Sequence, residues 1–300
     1  MKNNKNNKNN LGFTIIELMV TILIISILSS IIINRITQSQ AQSQADLLKV
    51  KIFSGTVKNR LIENLVAEWT LDDTGATIVN TSDYGADLNC TSYNTTPQTS
   101  ANCINNGCLL FNGSSSYLNC GNNASLNLAD AITVEAWAKP TGPHKDGYGG
   151  IWFDQYGGTR NRILVLNNGS LLAQYTIGGV DRSPTTTAGL VPLNQFTHIV
   201  LTYNGTEIVF WVNGIKQTPT VATGKIALSS SDRQIGRGHA TTYYFNGLID
   251  EVRIYNAPLT IVEIQNHYYA GLNKLLAKGA ITQLEYNQRV SALQAEFGYK

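Results

Sequence analysis

The chain has 300 residues, room for about two domains. Only 14% of them are charged and the net charge is +2, which argues against a strongly electrostatic nucleic-acid binder. The 26 glycines, with many Asn, Ser and Thr, suit a turn-rich β protein. Residues 1–12 are a polar Lys/Asn leader with no capacity to fold. From Phe13 to Ile33 runs a long apolar stretch broken by one charge, Glu17; as a helix it is roughly 31 Å long, about the thickness of a bilayer's hydrocarbon core. Lys2, Lys5 and Lys8 precede it and Arg35 follows, so the positive-inside tendency keeps the amino terminus cytoplasmic and sends the rest of the chain outside. A secretory signal peptide is the competing reading, but it would have a shorter apolar region and a small-residue cleavage site. A carboxylate near the start of a membrane helix marks a functional position or an interfacial one stabilised by the helix N-terminus.

The run Gly12-Phe13-Thr14-Ile15-Ile16-Glu17-Leu18-Met19-Val20 resembles the N-terminal signature of type IV pilins and pseudopilins. The resemblance implies that a prepilin peptidase cuts after Gly12 and that Phe13 becomes the N-methylated first residue. It also implies that Glu17 meets the Phe13 amino group of a neighbouring subunit during filament assembly. The physics fits, because a carboxylate in an apolar filament core needs a partner. Many pilins carry a proline near the end of this helix; here none occurs before Pro97, so a kink is not supported.

Ala41, Ala45, Leu48 and Ile52, then Val50, Phe53, Val57, Leu61 and Leu65, recur at helical spacing. They extend the expected membrane and stalk helix over 13–65, its second half packed on the head domain. At Val66 the period changes to that of a strand. Short strands then come at regular spacing, including Ile132–Ala138, Ile163–Leu166, Leu171–Ile177, Thr197–Tyr203, Glu207–Val212 and Phe245–Tyr255. Asn167-Asn168-Gly169, Asn204-Gly205-Thr206 and Asn213-Gly214 are turn signals between them. About a dozen strands of this kind predict a two-sheet antiparallel sandwich over 66–269. Cys90, Cys103, Cys108 and Cys120 lie beyond the membrane segment and lack the close pair usual in zinc sites, so disulfides are expected. A hairpin at Asn112-Gly113 would put Cys108 opposite Cys120 and leave Cys90 with Cys103.

The order of these strands resembles the laminin-G-like, concanavalin A-like jelly-roll family. The matching words are Leu110-Phe111-Asn112-Gly113, Ile132-Thr133-Val134-Glu135-Ala136-Trp137, Phe196-Thr197-His198-Ile199-Val200 and Phe245-Asn246-Gly247-Leu248-Ile249-Asp250-Glu251-Val252. The resemblance implies a carbohydrate- or protein-binding module, and some members bind calcium. No cofactor is required, but one structural calcium held by Asn112 and Asp250 is a possibility the resemblance opens, beside plain turn and bulge roles for both. Past Pro258, Thr260 with Glu263 starts a short helix to Tyr269, Gly271 punctuates it, and Leu272–Lys278 is a second. Thr282 with Glu285 starts a third helix towards Phe297, so 270–300 reads as a helical hairpin. It resembles a short hairpin at the ends of many bacterial proteins.

The expected architecture is α+β: a long N-terminal transmembrane α-helix, an antiparallel β-sandwich (jelly roll) and a short C-terminal helical hairpin. Catalytic residues are not expected. Glycosidases need two carboxylates flanking the scissile bond, and the best candidate strand carries only Glu135. Trp152, Tyr156, Tyr243 and Tyr244 lie in or beside Gly-rich loops, where they can stack on sugar rings with Arg160, Arg162 or Arg237 donating hydrogen bonds; filling the core is the plainer role for each aromatic. The functional expectation is a type IV pilin-like (minor pilin) subunit presenting a lectin-like domain for surface or glycan adhesion. It is held first in the cytoplasmic (inner) membrane, then at the cell surface or in an extracellular pilus. Its partners are prepilin peptidase, other pilin subunits, the membrane and a carbohydrate or surface protein, with no nucleic acid. A pseudopilin of a type II secretion or DNA-uptake machine and a purely structural subunit are the alternatives.

Overall fold

The computed structural model describes residues 60–154, 160–239 and 241–295, together with positions 16, 19–20, 22–26 and 29. Residues 1–59 and 60–300 are separate units. In the first, the described positions are helical; Ser26 Oγ bonds back to the carbonyls of Ile22 and Leu23, as a helical serine does in an apolar stretch. Ile16, Met19, Ile22, Leu23 and Ile25 are all exposed, a helix apolar on every side, which is the pattern of a segment that needs an apolar surrounding. No helix among the described residues is long and apolar enough to cross a membrane, and most of the expected Phe13–Ile33 span lies outside them.

The second unit is an antiparallel sandwich. One sheet has nine strands among the described residues, with Ile132–Pro140 and Asn246–Tyr255 at its centre; the other has eight. Strand Leu171–Ile177 shows why the sheets face each other: its residues alternate buried and half-buried, with Leu171, Ala173, Tyr175 and Ile177 in the core. Trp69 and Trp152 meet there at 6.2 Å, and Trp69 Nε1 donates to Leu88 O, so the buried indole keeps its hydrogen bond. The expected hairpin of Thr197–Tyr203 with Glu207–Val212 forms, and Asn213 (φ 53°) and Gly214 (φ 77°) make the next two-residue turn, both in the left-handed region such turns require.

Strands Ile132–Pro140 and Thr197–Tyr203 are buried along almost their whole length, not in alternation. The reason is a third layer. Helices α1 (Ile261–Ala277) and α2 (Gln283–Ala295) pack Tyr268, Leu272, Leu275 and Leu293 on the outer face of the nine-stranded sheet, against Trp137 and Phe196. The Thr260–Glu263 capping box starts α1 as expected. The helix then runs unbroken past Tyr269 and Gly271, so two short helices and a boundary at 269/270 are corrected to one helix. Gly271 is a contact point and not a stop: a Cβ there would lie 2.2 Å from Trp137 Cζ2. Residues 60–64 are helical and Leu65 opens the first strand, Leu65–Trp69. Arg60 pairs with Glu263 and donates to Pro258 O at 2.9 Å, docking that turn beside α1.

The disulfides join Cys90 to Cys120 and Cys103 to Cys108, not Cys90 to Cys103 and Cys108 to Cys120. Asn112-Gly113 does not close a hairpin. Asn112 Oδ1 accepts from the backbone N–H groups of Ser114, Ser115 and Ser116, and this turn carries the chain from one sheet to the other. Cys108 and Cys120 therefore end up in different sheets. Strand Cys90–Tyr93 pairs with Tyr117–Asn119, Thr91 opposite Asn119, which sets Cys90 beside Cys120 on the inner face. Chymotryptic cleavage after Tyr93 and Leu109, without reduction, should leave Cys103 and Cys108 in one peptide and join the Cys90 peptide to the Cys120 peptide. A Cys90 peptide joined to the 94–109 piece would contradict this pairing.

Candidate ligand-binding face

Among the described residues, no α-helix packs on the outer face of the eight-stranded sheet. Its register lines up Gln174, Arg162, Phe153, Gln234, Asn119 and Thr91 across six strands, a row roughly 24 Å long at the usual strand spacing. A hairpin, Arg237–His239 paired with Thr242–Tyr244, folds over the middle of this row. Gly236, with φ 82°, turns the chain out of the sheet to start it. Gly150 lets it lie flat: a Cβ on Gly150 would sit 2.1 Å from the Arg237 carbonyl carbon.

Two interleaved stacks result. In the first, Tyr93 and Tyr117, directly opposite each other on adjacent strands, lie nearly parallel with centroids 4.7 Å apart. The Arg237 guanidinium sits 3.8 Å from the Tyr117 ring centre and 5.8 Å from that of Tyr244. In the second, the Arg162 guanidinium lies 5.4 Å from the Tyr243 ring centre, and Tyr243 meets Tyr148 at 4.8 Å and His239 at 5.9 Å. Tyr243 holds φ 62°, a conformation rare for an aromatic residue. Both arginines are positioned by glutamines of the row: Arg162 Nε donates to Gln174 Oε1 at 2.7 Å, and Arg237 Nε to Gln234 Oε1 at 2.9 Å. Arg162 Nη1 also donates to Gly238 O at 2.8 Å, tying the hairpin to the sheet. Flat rings beside guanidiniums on an open sheet face suit a planar or pyranose ligand.

The structure thus brings Tyr243, Tyr244, Arg162 and Arg237 together. It does not add Trp152, which points into the core against Trp69; residue parity on its strand sends Phe153 outward instead. Arg160 is exposed and 4.0 Å from Asp181, within electrostatic reach of Arg162 but in neither stack, and Tyr156 lies outside the described residues. Gly12, Phe13 and Glu17 also lie outside them. Sequence reasoning missed Tyr93, Tyr117 and Tyr148. The alternation of Tyr117-Leu118-Asn119 was the available signal, but the register that sets Tyr93 opposite Tyr117 is a long-range fact.

Asn112 and Asp250 do not form one site. Asn112 pairs across strands with Asn246, four residues before Asp250, and its side-chain oxygen is engaged by the serine turn. Asp250 is fully buried, and its Oδ2 accepts from Ile104 N at 2.7 Å. Burial and the neighbouring Glu251 push its carboxyl well above the ordinary range. Lys278 Nζ caps the same loop from outside, donating to the carbonyls of Ser100, Cys103, Ile104 and Asn105. The one metal-like grouping of His, Cys, Asp or Glu among the described residues is Cys103, Cys108 and Asp250, whose sulfurs are joined in a disulfide.

Glu135 is fully buried on the other face of the molecule, where the nine-stranded sheet meets α1. Its carboxylate is 2.9 Å from His198 Nε2, 2.8 Å from His267 Nδ1 and 3.5 Å from Arg253 Nη1. Arg253 also pairs with Glu68 at 2.7 Å and with Glu251. Burial raises the Glu135 pKa, but His267, His198 and Arg253 together hold it well below the carboxylate range. A carboxylate held ionised by these partners has no proton to give as a general acid. A cavity of about 260 Å³ opens beside this cluster, lined by Leu61, Leu65, Arg253, His267 and Lys274.

Residues 112–265, just over half of the chain, match the sequence profile of the concanavalin A-like lectin/glucanases superfamily. Residues 7–33 match that of the prokaryotic N-terminal methylation motif. No curated protein matches the chain. Among solved structures, the binding domain of Paraclostridial Mosquitocidal Protein 1 is similar, with 16% identity and a TM-score of 0.58 over 71% of this chain and 53% of that one. The receptor binding domain of botulinum neurotoxin D gives 13% and 0.55 over 71% and 54%, and that of type G 15% and 0.52 over 68% and 51%. The chain spans about half the length of these toxin domains, and at such identity the likeness shows the fold.

Proposed function

Because the chain belongs to the concanavalin A-like lectin/glucanases superfamily and also carries an N-terminal methylation motif, we propose that it is a type IV pilin-like subunit whose sandwich binds glycans at a surface. In this reading a prepilin peptidase cuts after Gly12, Phe13 is methylated, and the apolar helix passes from the cytoplasmic membrane into a filament core. Glu17 then pairs with the Phe13 amino group of a neighbouring subunit. The sandwich stays outside, where disulfides persist. The reading of the sandwich as a binder rests on the two Tyr–Arg stacks, which occupy a sheet face that the C-terminal helices leave open. These aromatics are half-buried or exposed and lie outside the hydrophobic core clusters. Tyr117→Ala and Tyr243→Gly, the latter suited to its left-handed backbone, should each weaken binding to a glycan array about tenfold, roughly 1.4 kcal/mol. Unchanged binding in both would move the site elsewhere.

A further inference from the structure

We propose that the Tyr–Arg face takes acidic saccharides, whose rings carry a carboxylate or sulfate, in preference to neutral ones; this rests on the reading of that face as a glycan site. The face is rich in donors and poor in acceptors. Arg162 spends three of its N–H groups, two on Gln174 Oε1 and one on Gly238 O. Arg237 spends two, on Gln234 Oε1 and on Tyr244 OH at 3.5 Å. A guanidinium has five, so N–H groups without a partner among the described residues remain on both. The amide and carboxylate acceptors of the row are already engaged: the two glutamine oxygens face the arginines, Asn119 Oδ1 accepts from Gly121 N, and Asp232 Oδ2 accepts from Asn119 Nδ2.

Charge points the same way. Neither Arg162 nor Arg237 has an ion-pair partner among the described residues, though Arg237 is buried and Arg162 is half-buried. The acidic groups of the neighbouring strands are turned to other partners: Asp154 to Arg233, Asp181 to Thr176, Asp232 to Asn119. Tyrosine π-faces offset part of the desolvation of a cation, but a partly buried cation without an anion remains costly. An anionic group bound in bidentate fashion would supply that partner, and the guanidinium fork matches carboxylate and sulfate-like oxyanions. The tyrosines on either side would hold the sugar ring that carries it.

The test uses the full chain in detergent micelles on a paired array. Each acidic glycan stands beside its neutral counterpart: polygalacturonate oligomers with their methyl esters, and chondroitin sulfate oligomers with their desulfated, carboxyl-reduced forms. The expected result is at least tenfold tighter binding to the acidic member of a pair, with the uronate and sulfate arms identifying the anion. Arg162→Gln and Arg237→Gln should each reduce that preference. Since Arg237 is buried, each variant's thermal transition is checked, and Arg162→Gln, at a half-exposed position, carries the test if Arg237→Gln unfolds. Equal binding within pairs would overturn the acidic preference while leaving the glycan-binding reading standing. A preference that persists in a folded Arg162→Gln/Arg237→Gln chain would also overturn it. Binding to no glycan of either kind would sink both.

Discussion

Replacing Glu135 with alanine should destabilise the sandwich by about 3–5 kcal/mol, the cost of breaking a buried charge cluster by removing one partner. Glu135 bonds both His198 and His267, and Arg253 reaches it as well. His198 is fully buried, and burial, only partly offset by Glu135, keeps its pKa below the ordinary value. A neutral imidazole donating from Nε2 leaves Nδ1 as a bare acceptor, and Nδ1 has no hydrogen-bond partner among the described residues. Without Glu135, His198 would lose its hydrogen bond in a site that water does not reach. Arg253 would keep Glu68 and Glu251, so the loss should centre on the two histidines and on the seam with α1. Glu135→Gln should cost nearly as much, because its amide N–H₂ would meet donors already in place. Chemical denaturation of both variants measures the effect; a loss below about 1 kcal/mol, the size of an ordinary surface ion pair, would show that the cluster is not a keystone. A glycosidase reading makes the opposite forecast, a folded Glu135→Gln chain that has lost activity on a polysaccharide.

The second large effect is acid sensitivity. His144 is buried against Phe245 at 5.0 Å, and its Nδ1 accepts from Asn246 N at 3.1 Å. Burial lowers its pKa from 6.5 to about 4. The folded-state pKa is depressed, so as pH falls below 6.5 the unfolded chain takes up the proton first. Stability therefore falls from about pH 6.5 to about pH 4 and then levels off. The shift corresponds to about 3 kcal/mol. Glu135, Glu68 and Glu263, all held below their ordinary values, remove further stability at lower pH. Asp154 and Asp250 act with the opposite sign, since their raised values favour the folded state as they protonate. The His144 contribution is isolated by comparing the chain with His144→Asn, which should lose about 3 kcal/mol less between about pH 7 and pH 4. Parallel pH profiles would contradict it. His144 supports the strand leaving the Tyr243–Tyr244 hairpin, so glycan binding by the folded chain should weaken only as pH approaches about 4, where the folded-state imidazole takes up its proton.

Much of the fold was legible because it is written locally. Period-two burial in Leu171–Ile177, the Asn213-Gly214 turn and the Thr260–Glu263 capping box each need only a few neighbouring residues. The errors came where the same local words had a distant cause. Asn112-Gly113 looked like a hairpin and is a crossover between sheets, because the strands on either side pair with others far along the chain. That one misreading exchanged the disulfide partners. Gly271 looked like a stop and is a contact with Trp137, far earlier in the chain. The proposed binding face was half visible: Tyr243, Tyr244, Arg162 and Arg237 stand in or near glycine-rich stretches of the sequence. Trp152 was misassigned because its loop gave no parity, whereas its strand faces it inward.

The central claim, a methylation-motif helix carrying a concanavalin A-like binding domain into a surface filament, is tested most directly by intact-mass analysis of sheared surface filaments, with the membrane fraction run beside them. The expected chain begins at N-methyl-Phe13 and is present in the filaments. Such a chain confined to the membrane fraction would favour a pseudopilin, and an uncut chain beginning at Met1 would contradict the account.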